Sequence, residues 1–415
     1  MKLRVVITGR RLLYAALAVP LLALGVGWSG LVSIAASSGH YAPVGWFLHW
    51  TMQNAVATQS IGIAVPDGVS LSDPLLVRRG AGHFQSNCAA CHGAPGQPQS
   101  AAMRAMTPPP PPLDGAAEKW RDRELFWIVQ HGIKYSGMPA WASQDRPDEV
   151  WAMVAFLKTL PQLDTAAWRD LAYGAAWPGG GTPGDFPSAL ADCSRCHGRD
   201  GAGAGAAGTV PVIAGQPEAY LLSALRAFAT GERESGIMQP AASIHTDARL
   251  TELARWYAGQ PLPAGTADAL VPPPAGVAAG SEGHARLPRG SVAQERELEV
   301  RLSDQTVHVA SAYGPPYEAE GLAALGRDLA ERGLPERKIP ACESCHGAAA
   351  RAKGVPYPYL SGQPEWYIAT QLQLWKDGKR AGTAHAHVMS PIAITMTQEQ
   401  IDAVALWYAQ QPAGR

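Results

Sequence analysis

The chain repeats one short motif three times: Cys88-Ala-Ala-Cys91-His92, Cys193-Ser-Arg-Cys196-His197 and Cys342-Glu-Ser-Cys345-His346. The three copies use all six cysteines, so no thiol is left for a disulfide or a nucleophile. Two cysteines on about one turn of backbone can form thioethers with both vinyl groups of one haem, and the histidine that follows can bind the iron. Cys-x-x-Cys-His is the attachment motif of c-type haem.

Two other chemistries use a Cys-x-x-Cys pair. One is a thioredoxin-like redox pair, and the other is a zinc site built from two such pairs. Pairing the motifs around zinc would leave one of three unmatched, and neither alternative explains a histidine after every pair. We therefore expect three covalently bound haem c groups, attached to Cys88, Cys91, Cys193, Cys196, Cys342 and Cys345, with His92, His197 and His346 as axial iron ligands.

Each iron needs a sixth ligand or stays open, and a methionine follows each motif at a similar interval. Met138, Met238 and Met389 lie 46, 41 and 43 residues after the motif histidines. Any one methionine taken alone is better explained by core packing, but three similar intervals favour iron ligation. Three other side chains near the third methionine compete with it as ligands: His385, His387 and Met396.

The expected ligation has a functional consequence. A histidine–methionine pair raises the haem potential and fills the iron, which favours electron transfer over catalysis at the haem. A proline precedes each methionine region in a shared Pro-x-[Leu/Ile] pattern, and we expect its carbonyl to accept a hydrogen bond from the iron-binding histidine. These prolines are Pro111, Pro211 and Pro358.

The N-terminus combines cations with a long apolar run. Lys2, Arg4, Arg10 and Arg11 precede an uncharged stretch, and Leu12 to about Ala35 is long enough to span a bilayer. The flanking cations place the N-terminus in the cytoplasm and the rest outside. A cleaved signal peptide is the alternative, although its apolar core is usually shorter. The stretch 40–66 is expected either to lie on the membrane surface or to pack on the first haem domain.

Length and repetition predict the domain organisation. A chain of 415 residues accommodates two to four domains, and its net charge of −1 gives no indication of nucleic-acid binding. The predicted segments are a cytoplasmic stub and anchor (1–37), a membrane-proximal segment (38–73), module one (74–163), a linker (164–185), module two (186–262), a linker or insertion (263–316) and module three (317–415). In each module we expect a helix before the motif, the axial methionine on a loop, and a closing helix.

Modules two and three repeat each other. Both contain a Gly-Gln-Pro loop, a Gly-x-Arg turn and a Trp-Tyr pair in the closing helix, and module three has four extra residues before its methionine. The linker between them contains alternating apolar residues from 298 to 309, which fit either a small hairpin or a charged helix.

These residues resemble class I cytochrome c. Modules two and three are similar to the dihaem cytochrome c4 type, and module one, with His131-Gly-Ile-Lys-Tyr-Ser-Gly-Met138-Pro-Ala-Trp141, is similar to single-haem domains of membrane-bound respiratory cytochromes. The resemblance implies an all-α fold with haem in a cleft, here as three domains in tandem behind a transmembrane helix.

The resemblance also implies a function. We expect a membrane-anchored trihaem electron carrier, not an enzyme, on the periplasmic side of a bacterial inner membrane. Its partners would be a quinol-oxidising complex or soluble cytochrome as donor and a terminal oxidase as acceptor. The alternative is the cytochrome subunit of a periplasmic dehydrogenase for alcohols or sugar acids. A peroxidase-like haem enzyme and a redox-silent assembly subunit are more distant possibilities.

Overall fold

The described part of the chain consists of helices joined by loops and contains no β-strand. The structure is a computed structural model that describes residues 8–174, 185–203, 208–263, 319–347, 357–383 and 385–412. The predicted all-α fold class is confirmed. The segment expected to form either a hairpin or a charged helix, 298–309, lies outside the described residues, as does nearly all of the linker around it.

Two helices precede the first motif: α1 (Gly9–Ser29) and α2 (Ala42–Gln59). Helix α1 has 21 residues, is exposed along its length, and is long and apolar enough to cross a membrane. In α2 the first turns are exposed and carry stacked Trp46 and Trp50, whereas Val56 near the end is fully buried. The end of this stretch packs on module one, as one of the two expectations had it, whereas a position of its exposed start on the membrane surface stays a prediction.

Module one contains seven helices within residues 74–173. They are α3 (Pro74–His83), α4 (Ala89–His92), α5 (Ala101–Arg104), α6 (Ala116–Lys119), α7 (Asp122–His131), α8 (Pro147–Thr159) and α9 (Thr165–Tyr173). Helices α3 and α8 cross closely because Gly80 has no side chain; a Cβ there would collide with the Ala152 carbonyl. A single π-helical turn joins α3 to α4 and carries the chain into the first motif.

Helix α9 lies in the stretch 164–185 that the sequence suggested as a linker. Its Trp168 is fully buried and packs against Phe84 and Phe156, with ring centroids 5.7 and 5.5 Å away. The first half of this stretch therefore belongs to the core of module one. The Gly/Pro-rich half, 175–184, lies outside the described residues.

Modules two and three have matching helices. In module two these are α10 (Phe186–His197), α11 (Glu218–Thr230), α12 (Met238–Ser243) and α13 (Asp247–Ala258). In module three they are α14 (Ala319–Glu331), α15 (Glu343–His346), α16 (Glu365–Lys376), α17 (Ala386–Thr395) and α18 (Gln398–Gln410). A glycine again allows a close helix crossing, because a Cβ on Gly326 in α14 would collide with the Ala403 carbonyl in α18.

The buried apolar side chains of the described residues form three clusters. One lies in module one and packs against Cys88, one in module two packs against Cys193, and one in module three packs against Cys342. Each core thus reaches the first cysteine of one motif. Such small domains bury limited apolar area, so the group held at the motif is expected to complete each interior.

Two glutamines join modules two and three in a reciprocal arrangement. Gln363 accepts a hydrogen bond from the Val212 N–H (3.0 Å) and donates one to the Val212 carbonyl (2.7 Å). Gln216 makes the same two bonds to Tyr359, at 2.9 and 3.0 Å. These glutamines are the middle residues of the two Gly-Gln-Pro loops, so the repeated sequence element forms the interface between the repeats.

Replacement of Gln363 by alanine is expected to destabilise this interface by about 2–4 kcal/mol, because it leaves a buried N–H and a buried carbonyl of Val212 without partners. Denaturant unfolding of the haem-loaded protein measures the loss. Gln260→Ala is the control, since Gln260 makes one hydrogen bond to Trp256 within its own module. Equal losses in the two variants would contradict the assigned role.

Candidate functional site

All three motifs end a helical segment, and each motif histidine is followed by a glycine. Gly93, Gly198 and Gly347 have φ values of 75°, 73° and 76°. This left-handed region favours glycine because other residues clash there. The glycine turns the chain away directly after the histidine. The signal was present in the sequence, where glycine follows every motif.

Each motif histidine contacts the carbonyl of the proline predicted for it. The distances from the ring Nδ1 to the carbonyl oxygen are 2.9 Å for His92 and Pro111, 3.3 Å for His197 and Pro211, and 2.9 Å for His346 and Pro358. The three predicted contacts are confirmed. A ring that donates from Nδ1 to a carbonyl is held with Nε2 free to bind a metal.

The first cysteine of each motif is half-buried. Burial raises the pKa of Cys88, Cys193 and Cys342 to about 12 in each case. A redox pair or a zinc site needs an accessible thiolate. In the part of the chain that the structure describes, no group of three or more His, Cys, Asp or Glu side chains is placed to hold a metal ion. The described residues therefore give the zinc alternative no support.

Motifs two and three open into one shared cavity of about 690 Å³. Its wall includes the four cysteines and two histidines of these motifs, and Pro211 and Pro358 lie beside the histidines. The wall is mainly apolar. Paired sulfurs, an oriented imidazole and an apolar space together fit haem c at each motif, and a bound haem would supply a one-electron iron couple there. The first motif does not line this cavity.

The methionines expected as sixth ligands are placed unequally. Met238 and Met389 line the shared cavity, and Met396 lines it too. The competing histidines His385 and His387 are exposed and do not line it. This arrangement favours a methionine over a histidine as the sixth ligand in module three, and Met396 remains a competitor.

The expectation that each methionine lies on a loop is wrong for two modules. Met238 begins α12, and Met389 lies within α17. Each is followed two residues later by a proline: Pro240 lies in the first turn of α12, where proline is tolerated, and Pro391 lies inside α17. Met138 does lie on a loop, after α7, and its carbonyl accepts a hydrogen bond from the Ile133 N–H at 3.2 Å.

Module one is held against module two through a buried carboxylate. Glu149, only 2 % exposed, accepts hydrogen bonds from the Ser235 hydroxyl and the Gly236 N–H, both at 2.6 Å. Arg146 forms an ion pair with it at 2.9 Å. A buried charge that is paired and fully hydrogen-bonded is costly to disturb, so this contact fixes the orientation of the two modules.

The same junction brings the first two motifs close together. Helix α3 passes so near the second motif that a Cβ on Gly82 would lie 2.8 Å from the Cys196 sulfur. Six residues further along the same helical segment is Cys88. At 1.5 Å per residue the separation along the axis is about 9 Å. Sequence reasoning missed this junction because nothing near Gly82 or Glu149 in the sequence indicates that the second module packs there.

His83, also on α3, lines the shared cavity and is buried in the wall between modules. Burial lowers its pKa to about 4, and Asn87 Nδ2 lies 3.3 Å from its Nδ1. A depressed pKa in the folded state means that the unfolded chain takes up the proton first. The contribution of neutral His83 to the free energy of unfolding is therefore complete above pH 6.5 and is lost as the pH falls toward 4.

Acidification from pH 7.5 to 4.5 is expected to cost about 2–3 kcal/mol through this histidine alone. His83→Gln should reduce the pH dependence of the free energy of unfolding by that amount. Urea unfolding at both pH values provides the measurement, with the exposed His49→Gln as control. An unchanged pH dependence in His83→Gln would contradict the argument.

Comparison with known proteins agrees with the haem motifs. Residues 76–157 match the family described as cytochrome c oxidase, cbb3-type, subunit III. The thiosulfate dehydrogenase electron acceptor of Thiomonas intermedia is 34% identical over 231 residues, which is 54% of this chain and 81% of that protein. The protein of the same name from Stutzerimonas stutzeri is 30% identical over 226 residues, with 54% and 81% covered. Cytochrome c4 of Pseudomonas aeruginosa is 27% identical over 216 residues, with 51% and 80% covered.

Identity above 30% over four fifths of a relative, together with the helical fold and the motif geometry, establishes the family. Its members carry covalently bound haem c and transfer electrons. The chain belongs to the cytochrome c family.

Proposed function

We propose that this protein is a trihaem cytochrome that accepts single electrons from a periplasmic dehydrogenase and passes them to a membrane-bound oxidase. The observation that carries the proposal is the cavity shared by motifs two and three, with motif one held beside it. Three one-electron sites that lie near one another in one chain make a path. A single site in a single domain would serve only as a shuttle.

The relatives point to the electron donor. Two proteins at 34% and 30% identity are named thiosulfate dehydrogenase electron acceptors, and their matches of 231 and 226 residues are long enough for two haem modules of this size. We therefore propose a thiosulfate-oxidising dehydrogenase as donor. This replaces the alcohol or sugar-acid dehydrogenase that the sequence first suggested as the alternative.

Each iron is proposed to have a histidine and a methionine as axial ligands, with Met138, Met238 and Met389 completing the sets of His92, His197 and His346. The carbonyl contacts at the three histidines fix their rings and leave Nε2 for the iron. An iron filled by two protein ligands has no position for a substrate. The role is then electron transfer rather than catalysis at the haem.

The N-terminal helix is proposed to anchor the protein in the inner membrane, with the haem modules in the periplasm. Helix α1 has the length and composition of a single membrane span. An anchor confines the carrier near membrane partners and raises its effective concentration there. Module one follows the anchor most closely in the chain, which makes it the proposed exit toward the membrane.

The donor can be tested with purified components. The oxidised protein is mixed with thiosulfate and the thiosulfate dehydrogenase of Thiomonas intermedia, and haem reduction is followed by its absorption. We expect reduction of all the haems, and no reduction when the dehydrogenase is omitted. A protein that stays oxidised with the dehydrogenase but is reduced by a quinol-oxidising complex would overturn the proposed donor.

A second candidate role is transfer from a quinol-oxidising complex or soluble cytochrome to a terminal oxidase. The match of residues 76–157 to a cbb3-type oxidase subunit III family favours it. In both roles the electrons leave through module one toward an oxidase, and only the electron donor differs. The mixing experiment with each donor in turn separates them.

A further inference from the structure

Two buried arginines meet between modules two and three. Arg233 and Arg380 end the two Gly-x-Arg turns, and their backbones pair in an antiparallel bridge. Their side chains are 4% and 6% exposed and line the shared cavity. The two residues occupy equivalent places in the repeat, so each module contributes one positive charge to the same point.

Neither guanidinium has a carboxylate within ion-pair distance among the residues that the structure describes. Arg233 donates to the Tyr367 hydroxyl (3.0 Å) and to Gln371 Oε1 (3.1 Å), which are neutral groups. Arg380 stacks over the Trp375 ring at 3.6 Å, and its Nε has no hydrogen-bond partner. By contrast, the equally buried Arg146 contacts both Asp148 and Glu149.

Two unpaired like charges in an apolar interior are strongly unfavourable. Their positive charges shift the pKa values of neighbouring side chains. Burial and the charge of Arg233 lower the pKa of Arg380 to about 10. Although burial raises the pKa of Tyr220, the two arginines outweigh it and lower that pKa to about 8. The site therefore has an excess of positive potential, which favours binding of an anion.

The anion has to come from the cavity that the arginines line. Haem c carries two propionate carboxylates, and guanidinium groups bind carboxylates in a bidentate geometry. We propose that Arg233 and Arg380 bind propionates of the haems in modules two and three, and so fix these haems at the module interface. This inference rests on haem at motifs two and three, as proposed above.

The test is a spectroelectrochemical titration of the full haem-loaded protein with Arg233→Gln and Arg380→Gln. Loss of the cation leaves a propionate charge uncompensated, which favours the ferric state. We expect the reduction equilibrium constant of at least one haem to fall about tenfold, which lowers its potential by about 59 mV for one electron. The propionate then stays in the apolar cavity without a cation, where desolvation raises its pKa, so the potential becomes pH dependent between pH 5 and 8.

Matched variants separate charge from packing. Arg233→Lys keeps the positive charge and is expected to restore most of the potential. Arg226→Gln removes an exposed arginine of α11 that pairs with Asp247 and should leave all potentials unchanged. Measuring the potentials in phosphate from about 5 to about 200 mM distinguishes the source of the anion. Haem propionates give potentials that do not follow phosphate concentration beyond general screening, whereas a bound free phosphate gives a saturable shift.

Two results would overturn the proposal. One is unchanged, pH-independent potentials in both glutamine variants at full haem content. The other is a fall in potential that is as large in Arg233→Lys as in Arg233→Gln, because Arg233→Lys keeps the positive charge that the propionate needs. A wild-type protein without haem at motifs two and three, shown by its haem content, would instead refute the proposed function.

Discussion

Replacement of Cys342 and Cys345 together by alanine is expected to remove about one third of the covalently bound haem. Both thioether bonds of the third haem are lost, and no other cysteine in the chain can replace them, because all six lie in the three motifs. Haem per chain is measured from the absorption of the alkaline pyridine complex against protein concentration. The haems of the other two motifs should remain.

Ser344→Ala is the matched control, since Ser344 lies between the same two cysteines and is exposed. It should retain the full haem content. The double alanine variant should also unfold more easily, because the cavity beside Ile339 and Leu372 loses the group that fills it. A double variant with unchanged haem per chain would refute attachment at the third motif.

Replacement of Met389 by alanine is expected to abolish about one third of the absorption band that reports methionine–iron bonds, and to open one iron to carbon monoxide. The reason is geometric: Met389 lines the cavity together with His346, whereas the exposed His385 and His387 do not. Met138→Ala and Met238→Ala should each remove a similar share. Loss of methionine also lowers the affected haem potential.

Met396→Ala is the critical comparison, because Met396 lines the same cavity and is 3% exposed. We expect it to lower stability through lost packing but to keep the absorption band. A band that survives in Met389→Ala and disappears in Met396→Ala would assign the ligand to Met396. If the absorption band survives in both variants, His385 and His387 become the candidate ligands.

The sequence predicted best what covalent chemistry and local geometry determine. The haem motifs have a fixed spacing because two sulfurs and one imidazole must meet the same ring. The proline carbonyls were predictable because each lies a short distance along the chain from its histidine. A helix before each motif and a closing helix were predicted for each module, and both are present, for example α3 and α8 in module one.

Contacts between modules were beyond reach of the sequence alone. Glu149 lies in the closing helix α8 of module one, and nothing local in the sequence indicates that Ser235 and Gly236 would contact it. The repeated glutamines were noticed as part of a loop pattern, but a polar side chain between Gly and Pro has no obvious partner until the second module is placed. The loop expected at Met238 is a helix in the structure, because the proline two residues later also fits the first turn of a helix.

The shared cavity has a consequence for how the two modules take up electrons. A charge that enters one half of an apolar space is poorly screened from the other half. The first electron should therefore make the second harder to add, so the two modules titrate as an anticooperative pair with potentials that belong to the pair and not to either module. This separation between the two potentials keeps one module reduced and its neighbour oxidised over a wide range of ambient potential.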